Sequence, residues 1–262
     1  MNHTAAAALR ESAARLRSTT LAEVLAAAEL QTRRDRKYLL PPHLVEALFD
    51  GLRPDHLVLE IADLRAFRYE SVYFDTPELA SYLRSARSRR NKFKVRTRTY
   101  LDSAECMLEV KTEGGRSETV KDRLPHPLDH RDCLDPDGAA FIDERLDLPG
   151  GAARVLGPVL TTTYSRTTLV DLDRGSRVTC DADLHLAGTH GRTSSMTDHV
   201  LIETKSSGAA GPVDRLLWRL GQRPVTISKY GVGMAALDPW LPANRWNRVL
   251  RRHFGWTPLR AA

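Results

Sequence analysis

The chain has 262 residues, with 39 Lys and Arg against 33 Asp and Glu, which gives a formal net charge of +6. Hydrophobic residues make up 42% of it, enough for a substantial core, so a mainly disordered chain is excluded. The 16 Gly, 14 Pro and 3 Cys likewise exclude collagen-like proteins and disulfide scaffolds. The modest basic excess indicates an anionic partner of unknown kind, or only a solvated basic surface.

The first 30 residues repeat apolar side chains at helical spacing, which predicts a helical N-terminal extension (1–30) before a main domain at 31–240. Charged residues from Arg10 onward interrupt any apolar run long enough for a signal peptide. No window reaches the ~20 apolar residues that a transmembrane helix needs. The three Cys form no CxxC pair, which fits a reducing compartment. We therefore expect a soluble, cytoplasmic protein.

The main domain is dominated by short runs of alternating polarity bounded by turn residues. These runs predict strands at 33–39, 67–75, 92–101, 105–112, 118–124, 160–171, 177–186 and 199–205. Helical patterns predict helices at 42–49, 77–87, 137–146 and 212–220. Short connections, such as the hairpin turn at 113–116, predict an antiparallel sheet or barrel with helices outside it. Neither GxGxxG nor GxxxxGK[ST] occurs, so nucleotide-binding folds of those types lose their main support.

Residues 241–262 form a basic C-terminal tail rich in Trp. With the residues just before it, the tail holds Trp240, Trp246, Trp256, Arg245, Arg248, Arg251, Arg252 and Arg260. Such a segment suits contact with an anionic membrane surface or a membrane-protein partner. The favoured alternative is a terminal helix that packs its Trp side chains on the domain.

Charged residues recur at alternate positions in the predicted strands, so they share one face of each strand. At 92–98 the face carries four cations, Lys92, Lys94, Arg96 and Arg98. The other sets on one face are Glu109 with Lys111, Lys121 with Arg123, Tyr164 with Arg166, Arg177 with Asp181 and Asp183, and Glu203 with Lys205. For any single strand the commonest explanation is a polar face turned to water.

The alternative is a sheet that closes, so that the ionic faces line an interior. Unpaired buried charges are costly, and such an interior must therefore hold water and a charged ligand. Lys and Arg dominate, which makes the ligand an anion. Carboxylates beside phosphates cost Coulomb energy unless a divalent cation lies between them. Glu109 and Glu203 therefore suggest a polyphosphate bound with Mg²⁺ or Mn²⁺.

Arg84–Arg98 carries eight Lys and Arg and no acid, which would also suit nucleic acid. Its cations alternate with apolar residues, however, and only Phe93 and the adjoining Tyr100 offer stacking platforms. Nucleic acid is therefore the less favoured partner.

Nine short motifs match, in order, those of VTC-type polyphosphate polymerase domains. They are KYLL at Lys37, YFDTPEL at Tyr73, FKVRTRTY at Phe93, LEVKT at Leu108, TVKDRL at Thr119, TYSRTTL at Thr163, RVTCDADL at Arg177, LIETK at Leu201 and ISKYGVGMAAL at Ile227. Over about 33–239 the chain thus resembles a VTC domain of the CYTH, or triphosphate-tunnel, superfamily. The resemblance implies an α+β fold with a closed eight-stranded antiparallel barrel, helices packed outside, and a bound triphosphate with a divalent metal.

The resemblance, together with the strand faces, supplies the candidate site. Catalytic roles fall to Lys37, Arg96, Arg98, Lys111, Arg166 and Lys229. Phosphate binding falls to Lys94, Lys121, Tyr164, Arg177, Lys205 and Ser228, and metal binding to Glu203 and Glu109.

Two positions depart from related patterns. Arg33-x-Asp35-x-Lys37 stands where triphosphatases of the superfamily have ExExK, which favours the VTC branch. Thr226 stands where similar polymerases carry a basic residue, with Arg223 nearby as a substitute. The resemblance implies a polyphosphate polymerase that uses ATP and Mn²⁺ or Mg²⁺. A triphosphate or polyphosphate hydrolase of the same fold and a non-catalytic polyanion binder are the alternatives.

Overall fold

A computed structural model describes residues 4–27, 34–113, 119–146, 148, 151, 155–206 and 209–259. Most of the predicted hairpin turn at 113–116 lies outside these residues, as does Arg33. The chain forms two compact units. The first unit comprises Met1–Arg68, Tyr164–Leu184 and Met196–Thr226, and the second comprises Tyr69–Thr163, His185–Ser195 and Ile227–Ala262.

Eleven strands and eight α-helices, numbered here in chain order, make up the described structure together with two short 3₁₀ helices at Leu128–His130 and Asn244–Trp246. Strands β1 to β11 span Ser18–Thr19, Arg34–Leu40, His56–Leu59, Phe67–Asp75, Phe93–Tyr100, Glu105–Glu113, Thr119–Pro125, Gly157–Asp171, Ser176–Gly188, Thr193–Met196 and Val200–Ser206. Helices α1 to α8 span Ala5–Ala14, Leu21–Ala27, Pro42–Asp50, Ala80–Ala86, Pro136–Asp143, Pro212–Arg219, Lys229–Leu237 and Asn247–His253. Every predicted strand is present. The unpredicted β1, β3 and β10 are too short to show a clear alternation.

The predicted eight-stranded closed barrel is wrong in its strand number and its closure. All eleven described strands belong to one sheet, with the hydrogen-bonded order β2-β11-β9-β8-β4-β5-β6-β7 and with β1, β3 and β10 paired off this path. Within the described residues β2 and β7 do not pair, so the sheet is not closed. Alternation predicts which face a strand buries, whereas closure depends on strand tilt and stagger, which alternation does not report.

In the first unit, the apolar faces of β2, β9 and β11 pack against helices α1, α3 and α6. Tyr38, Cys180 and Ile202 lie fully buried at the centre of this core. The Ala-rich α1 contributes Ala5 and Leu9, because its small side chains allow close approach to its neighbours. The predicted N-terminal extension thus supplies part of the core of the first unit.

In the second unit, the apolar faces of β4, β5 and β6 pack against α5. Phe74, Val95 and Leu108 come from the strands, and Phe141 and Ile142 come from the helix. These strand residues alternate with charged ones, so burying one face directs Arg96 and Glu109 to the other. The core therefore determines where the ionic side chains lie.

The C-terminal residues of the second unit pack two of their three Trp side chains into it, as the favoured alternative predicts. Trp246 and Trp256 are buried, and the Trp246 ring centroid lies 5.7 Å from that of Tyr82 in α4. Trp240 stays 62% exposed, so contact of the tail with an anionic surface remains a prediction. No described helix has the length and apolar character needed to cross a membrane.

Gly231 in α7 lies directly under the Trp246 ring, and a Cβ there would lie 2.2 Å from the ring. We expect Gly231→Ala to lower the free energy of unfolding by about 1–3 kcal/mol through overpacking. Trp246→Leu should recover part of this loss in the double variant, because it makes room for the new methyl group. Chemical denaturation of the two single variants and the double variant tests this, and strictly additive losses would contradict it.

His56 in β3 is buried, and burial lowers the pKa of its imidazole. The unfolded chain therefore binds this proton more readily than the folded chain, and folding stability is lost as pH falls below about 6.5. We expect His56→Phe to reduce the difference in unfolding free energy between pH 7.5 and 5.5, by up to about 1.4 kcal/mol per pH unit. His43→Gln, at an exposed position, should leave that difference unchanged. An unaltered pH dependence in His56→Phe would refute the assignment.

Candidate functional site

The first unit presents an ionic face on β2, β11 and β9. In the antiparallel pairing of β11 with β2, Glu203 lies opposite Lys37 and Lys205 lies opposite Asp35. On the other side of β11, Lys205 lies opposite Arg177. These residues, named here the Glu203 cluster, share one face because Tyr38 and Ile202 occupy the other.

Ion pairs join the Glu203 cluster. Lys205 Nζ lies 2.6 Å from Glu203 Oε1 and 2.6 Å from Asp35 Oδ2, and Lys37 Nζ lies 3.5 Å from Glu203 Oε2. Burial would raise the pKa of Glu203, but Lys37, Lys205 and Arg166 hold it well below its usual range. Glu203 is therefore ionised at neutral pH.

Arg166 on β8 forms a forked ion pair with Asp181 on β9. The guanidinium Nε and Nη2 donate to the two carboxylate oxygens at 2.6 and 2.8 Å. The guanidinium carbon also lies 5.3 Å from the ring centroid of Tyr164. This rigid double contact holds Arg166 in one orientation.

The second unit presents another ionic face, on β5, β6 and β7. Lys94, Lys111 and Lys121 lie side by side across the three strands. Two register pairs further along, and therefore on the same face, Arg96 lies opposite Glu109. We name Lys94, Arg96, Arg98, Glu109, Lys111 and Lys121 the Glu109 cluster.

Glu109 is fully buried and is held by cations on both of its oxygens. Oε2 accepts from Arg96 Nη2 at 2.6 Å and Nε at 2.9 Å, and Oε1 lies 2.5 Å from Lys121 Nζ. Burial would raise the pKa of Glu109, but Arg96, Arg98 and Lys121 lower it strongly. This single carboxylate therefore acts as the counter-ion of several cations.

The basic side chains of the cluster also repel one another. Burial first, and then Arg96 and Lys121, lower the pKa of Lys111 to about 6, so its amine is mostly neutral at pH 7.5. Burial also lowers the pKa of Lys121 to about 8, although Glu109 opposes this shift. Arg98 is 9% exposed, and its Nε has no hydrogen-bond partner among the described residues. The arrangement favours an added anion.

Ser228 and Lys229 lie at the start of α7. The Ser228 hydroxyl caps the helix by accepting from the backbone N–H of Gly231, and it accepts a hydrogen bond from Lys94 Nζ at 3.2 Å. The cap thus ties the N-terminus of α7 to the Glu109 cluster. A helix N-terminus carries partial positive charge and adds to the attraction for anions.

Aromatic residues support this cluster from β4 and α7. Arg96 Nη1 donates to the Tyr73 hydroxyl at 3.1 Å, and the Tyr73 ring stacks on Tyr230 at 5.1 Å between centroids. The Tyr230 hydroxyl donates to buried Asp75, whose carboxylate also accepts backbone N–H groups of Ser81 and Tyr82 in α4. Asp75 thereby positions Arg96 through two tyrosines.

The fourteen residues predicted from the sequence fall into these two units. Lys37, Tyr164, Arg166, Arg177, Glu203 and Lys205 belong to the first, and Lys94, Arg96, Arg98, Glu109, Lys111, Lys121, Ser228 and Lys229 belong to the second. Sequence reasoning did not assign site roles to Asp35, Asp181, Asp75 and Tyr230. The first two alternate with predicted cations, but their pairing depends on register between distant strands.

The donor set fits a divalent cation only together with a phosphate ligand. No three His, Cys, Asp or Glu side chains come together as metal ligands in the described ranges. Mg²⁺ commonly takes one or two protein carboxylates and completes its shell with phosphate and water. Glu203 is 20% exposed and Asp35 lies on the same face, whereas Glu109 is fully enclosed by cations. Glu203 is therefore the better placed carboxylate.

A separate cavity of about 760 Å³ lies in the second unit, lined by residues that include Leu79, Met234, Leu237 and Trp240. None of the fourteen predicted residues lines it. The candidate site is therefore a pair of ionic sheet faces and not this cavity.

Removing the Glu109 charge should leave its cations mutually repelling. We expect Glu109→Gln to lower the free energy of unfolding by about 3–5 kcal/mol at low salt, with partial recovery at high salt. The control is Glu113→Gln on the same strand, because the Glu113–Lys92 pair is more exposed and should be worth less than about 1 kcal/mol. Equal losses in the two variants, measured by chemical denaturation, would contradict the role of Glu109.

Several solved structures resemble the fold distantly. One is a putative adenylyl cyclase from Hippeastrum, described as having a dominant triphosphatase activity, at 16% identity and a TM-score of 0.46, covering 82% of this chain and 100% of that one. Another is a putative adenylate cyclase from Vibrio parahaemolyticus, at 11% identity and a TM-score of 0.40, covering 73% and 87%. Similarity at this level says nothing about activity. No curated protein gives a significant match.

The family comparison matches residues 32–238 to the VTC domain. The matched segment covers most of the 262 residues and contains all fourteen residues of the candidate site. The chain belongs to the VTC domain family.

Proposed function

We propose that the protein is a metal-dependent polyphosphate polymerase, which transfers the γ-phosphoryl group of ATP to the end of an inorganic polyphosphate chain. The observation that carries the proposal is the Glu109 cluster, where five Lys and Arg side chains share a half-buried face with a single carboxylate. A linear polyanion supplies the missing negative charge at many points, which a single small anion does not. Membership of the VTC domain family supports the same conclusion.

In this proposal arginines and lysines divide the work of binding phosphate. The planar guanidinium group of Arg98, whose Nε has no hydrogen-bond partner among the described residues, matches two phosphate oxygens at once. Arg96 and Arg166 already pair with Glu109 and Asp181 and mainly add positive charge. Tyr73, Tyr69 and Tyr164 hold these three arginines by contacts of 5.3 to 5.7 Å between guanidinium carbon and ring centroid. The lysines on the strand faces add point charges. The result is a phosphate cradle on each unit, whose strongest donors are held in place before the substrate binds.

Residues of β2, β9, β11 and α7 complete the proposed substrate contacts. Lys37, Lys205 and Arg177 lie on one face of the first unit, where they serve as further phosphate ligands. Ser228 and Lys229 contact the phosphate chain at the N-terminus of α7, where the helix dipole favours anions.

The proposed reaction needs no covalent enzyme intermediate. An oxygen of the terminal phosphate of the chain attacks the γ-phosphorus of ATP, forming one P–O bond while the bond to the β–γ bridging oxygen breaks. ADP leaves, and the chain is longer by one phosphate. The cations align the two phosphate ends and stabilise the negative charge that develops on the bridging oxygen. Catalysis is therefore alignment and charge neutralisation.

Mg²⁺ or Mn²⁺ held at Glu203, with Asp35 on the same face, would offset the charge of the phosphate oxygens. Lys37 and Lys205 keep Glu203 ionised and hence able to bind a cation. We propose the cytoplasm as the site of action.

Hydrolysis is the second candidate, because the same alignment accepts water in place of the phosphate chain. Asp35 and Lys37 on β2, with Glu203 on β11, provide the carboxylates and cation that a triphosphate and its metal need for this. A non-catalytic polyanion binder would keep the cradle and lose turnover. The products formed from ATP separate these three functions.

Purified protein incubated with ATP and Mn²⁺ should form polyphosphate chains, resolved by gel electrophoresis, together with ADP. Glu203→Gln should lower this rate at least 100-fold with little loss of stability, and Arg96→Ala should weaken triphosphate binding at least tenfold. The matched control is Arg131→Gln, which removes an arginine paired with Glu70 on a more exposed surface. Orthophosphate without chains would indicate the hydrolase. Tight polyphosphate binding without either product would indicate the binder.

A further inference from the structure

The turn between α4 and β5 is strongly basic. Arg87, Arg89 and Arg90 are exposed there. No Asp or Glu occurs between Glu78 and Asp102, so no neighbouring acid in the sequence offsets these charges. The phosphate cradle described above does not use them.

Hydrogen bonds fix the conformation of this turn. Ser88 and Asn91 both adopt the left-handed backbone region, with φ of 52° and 55°, which is uncommon for Ser and which Asn tolerates better than most residues. Arg89 N–H donates to the Arg84 carbonyl at 2.9 Å, and Arg84 Nη1 donates to the Asn91 carbonyl at 3.1 Å. These bonds close the turn around Arg84 and leave Arg89 and Arg90 at its exposed tip.

The C-terminal helix is bound to the same turn and adds more arginines. Arg245, just before α8, donates to the Ser85 carbonyl at 3.2 Å and to the Ser88 hydroxyl at 3.3 Å. Helix α8 then carries exposed Arg248, Arg251 and Arg252. Residues 239–262 contain no Asp or Glu. We name the exposed arginines of the turn and of α8 the arginine surface.

This surface lies next to the start of the Glu109 cluster. Strand β5 begins at Phe93, and Lys94 is the first cluster residue on it. Lys94 lies four positions after Arg90, a reach of at most about 14 Å along the chain. Lys94 in turn meets Ser228, at the N-terminus of α7, and α7 packs on α4 through Tyr230 and Tyr82. Cations therefore continue from the cluster onto the outside of the second unit.

We propose that the arginine surface binds the part of a long polyphosphate chain that extends beyond the Glu109 cluster. Long chains then bind more tightly than tripolyphosphate, which reaches the cluster alone. This inference rests on the proposed function, since it extends the same phosphate cradle. It goes further by assigning a role to the turn and to the C-terminal helix.

The side chains of this surface favour an inorganic chain over other polyanions. Single-stranded nucleic acid is held largely by bases stacked on aromatic rings, and neither residues 87–92 nor α8 carries a Phe, Tyr or Trp. Membrane-surface helices insert large apolar side chains, and none is exposed in these two segments. The arginine surface offers guanidinium groups without aromatic or large apolar side chains. It therefore suits a ligand made only of phosphate groups.

The test compares two triple variants, Arg87→Gln/Arg89→Gln/Arg90→Gln and Arg248→Gln/Arg251→Gln/Arg252→Gln, with wild type. We expect each to bind polyphosphate tens of phosphates long about tenfold more weakly, with tripolyphosphate affinity changed less than about twofold. The salt dependence of long-chain binding should also become shallower, because fewer counter-ions are displaced. Arg10→Gln/Arg215→Gln/Arg219→Gln removes three exposed arginines elsewhere and should change neither affinity.

Each outcome has a separate meaning. Failure of the wild type to bind tripolyphosphate, or binding that Arg96→Ala leaves intact, would count against the proposed function itself. Intact tripolyphosphate binding with unchanged long-chain affinity in both triple variants would overturn only the arginine surface. The arginine surface would also be overturned as a polyphosphate site if the triple variants lost binding of an oligonucleotide or an anionic vesicle but kept their polyphosphate affinity. Arg→Lys versions, which keep the charge, should restore most of the long-chain affinity and thus exclude a folding defect.

Discussion

Placing basic side chains next to one another on a sheet is the constraint on which the rest of the second unit depends. Lys94, Lys111 and Lys121 lie in register on adjacent strands, an arrangement that is unfavourable in a folded protein. The fold tolerates it because Glu109, fully buried, pairs with Arg96 and Lys121 next to them. The apolar residues between the cations pack into the core and so keep the charges on one face. Affinity for an anion and the stability of the unbound fold are therefore opposing demands on the same side chains.

The first unit also places basic side chains on one sheet face, but it offsets their charge with more carboxylates. Glu203, Asp35 and Asp181 pair with Lys37, Lys205 and Arg166, so the charges there nearly balance. A nearly balanced face suits a phosphate that arrives with a metal ion, whereas the Glu109 cluster suits phosphate oxygens that arrive without one. The two faces thus differ in the kind of anion each favours.

Alternation along single strands was sufficient to predict which side chains share a face, and Lys94, Arg96 and Arg98 lie where that pattern places them. Alternation was not sufficient to predict the ion-pair partners of the predicted cations. Arg166, for example, meets Asp181 only through the pairing of separate strands. The predicted closed sheet of eight strands was wrong, because the sheet has eleven described strands and is not closed. Strands as short as β1 and β10 leave no alternation to detect, and closure depends on the stagger between strands. The role of Asp75 was also out of reach, because its partners Ser81 and Tyr230 come from two different helices.

The contact between Gly231 and Trp246 joins two positions that are fifteen residues apart in the sequence. Gly231 lies three residues after Ser228, so the space under the ring is set within one turn of the proposed phosphate contact. Any side chain at position 231 requires a residue smaller than Trp at position 246. With a smaller residue at 246, position 231 is no longer restricted to glycine. Among relatives that keep this helix pair, the two positions are therefore expected to covary, and sequence drift in the C-terminal segment is limited by a residue in the helix that carries the proposed phosphate contact.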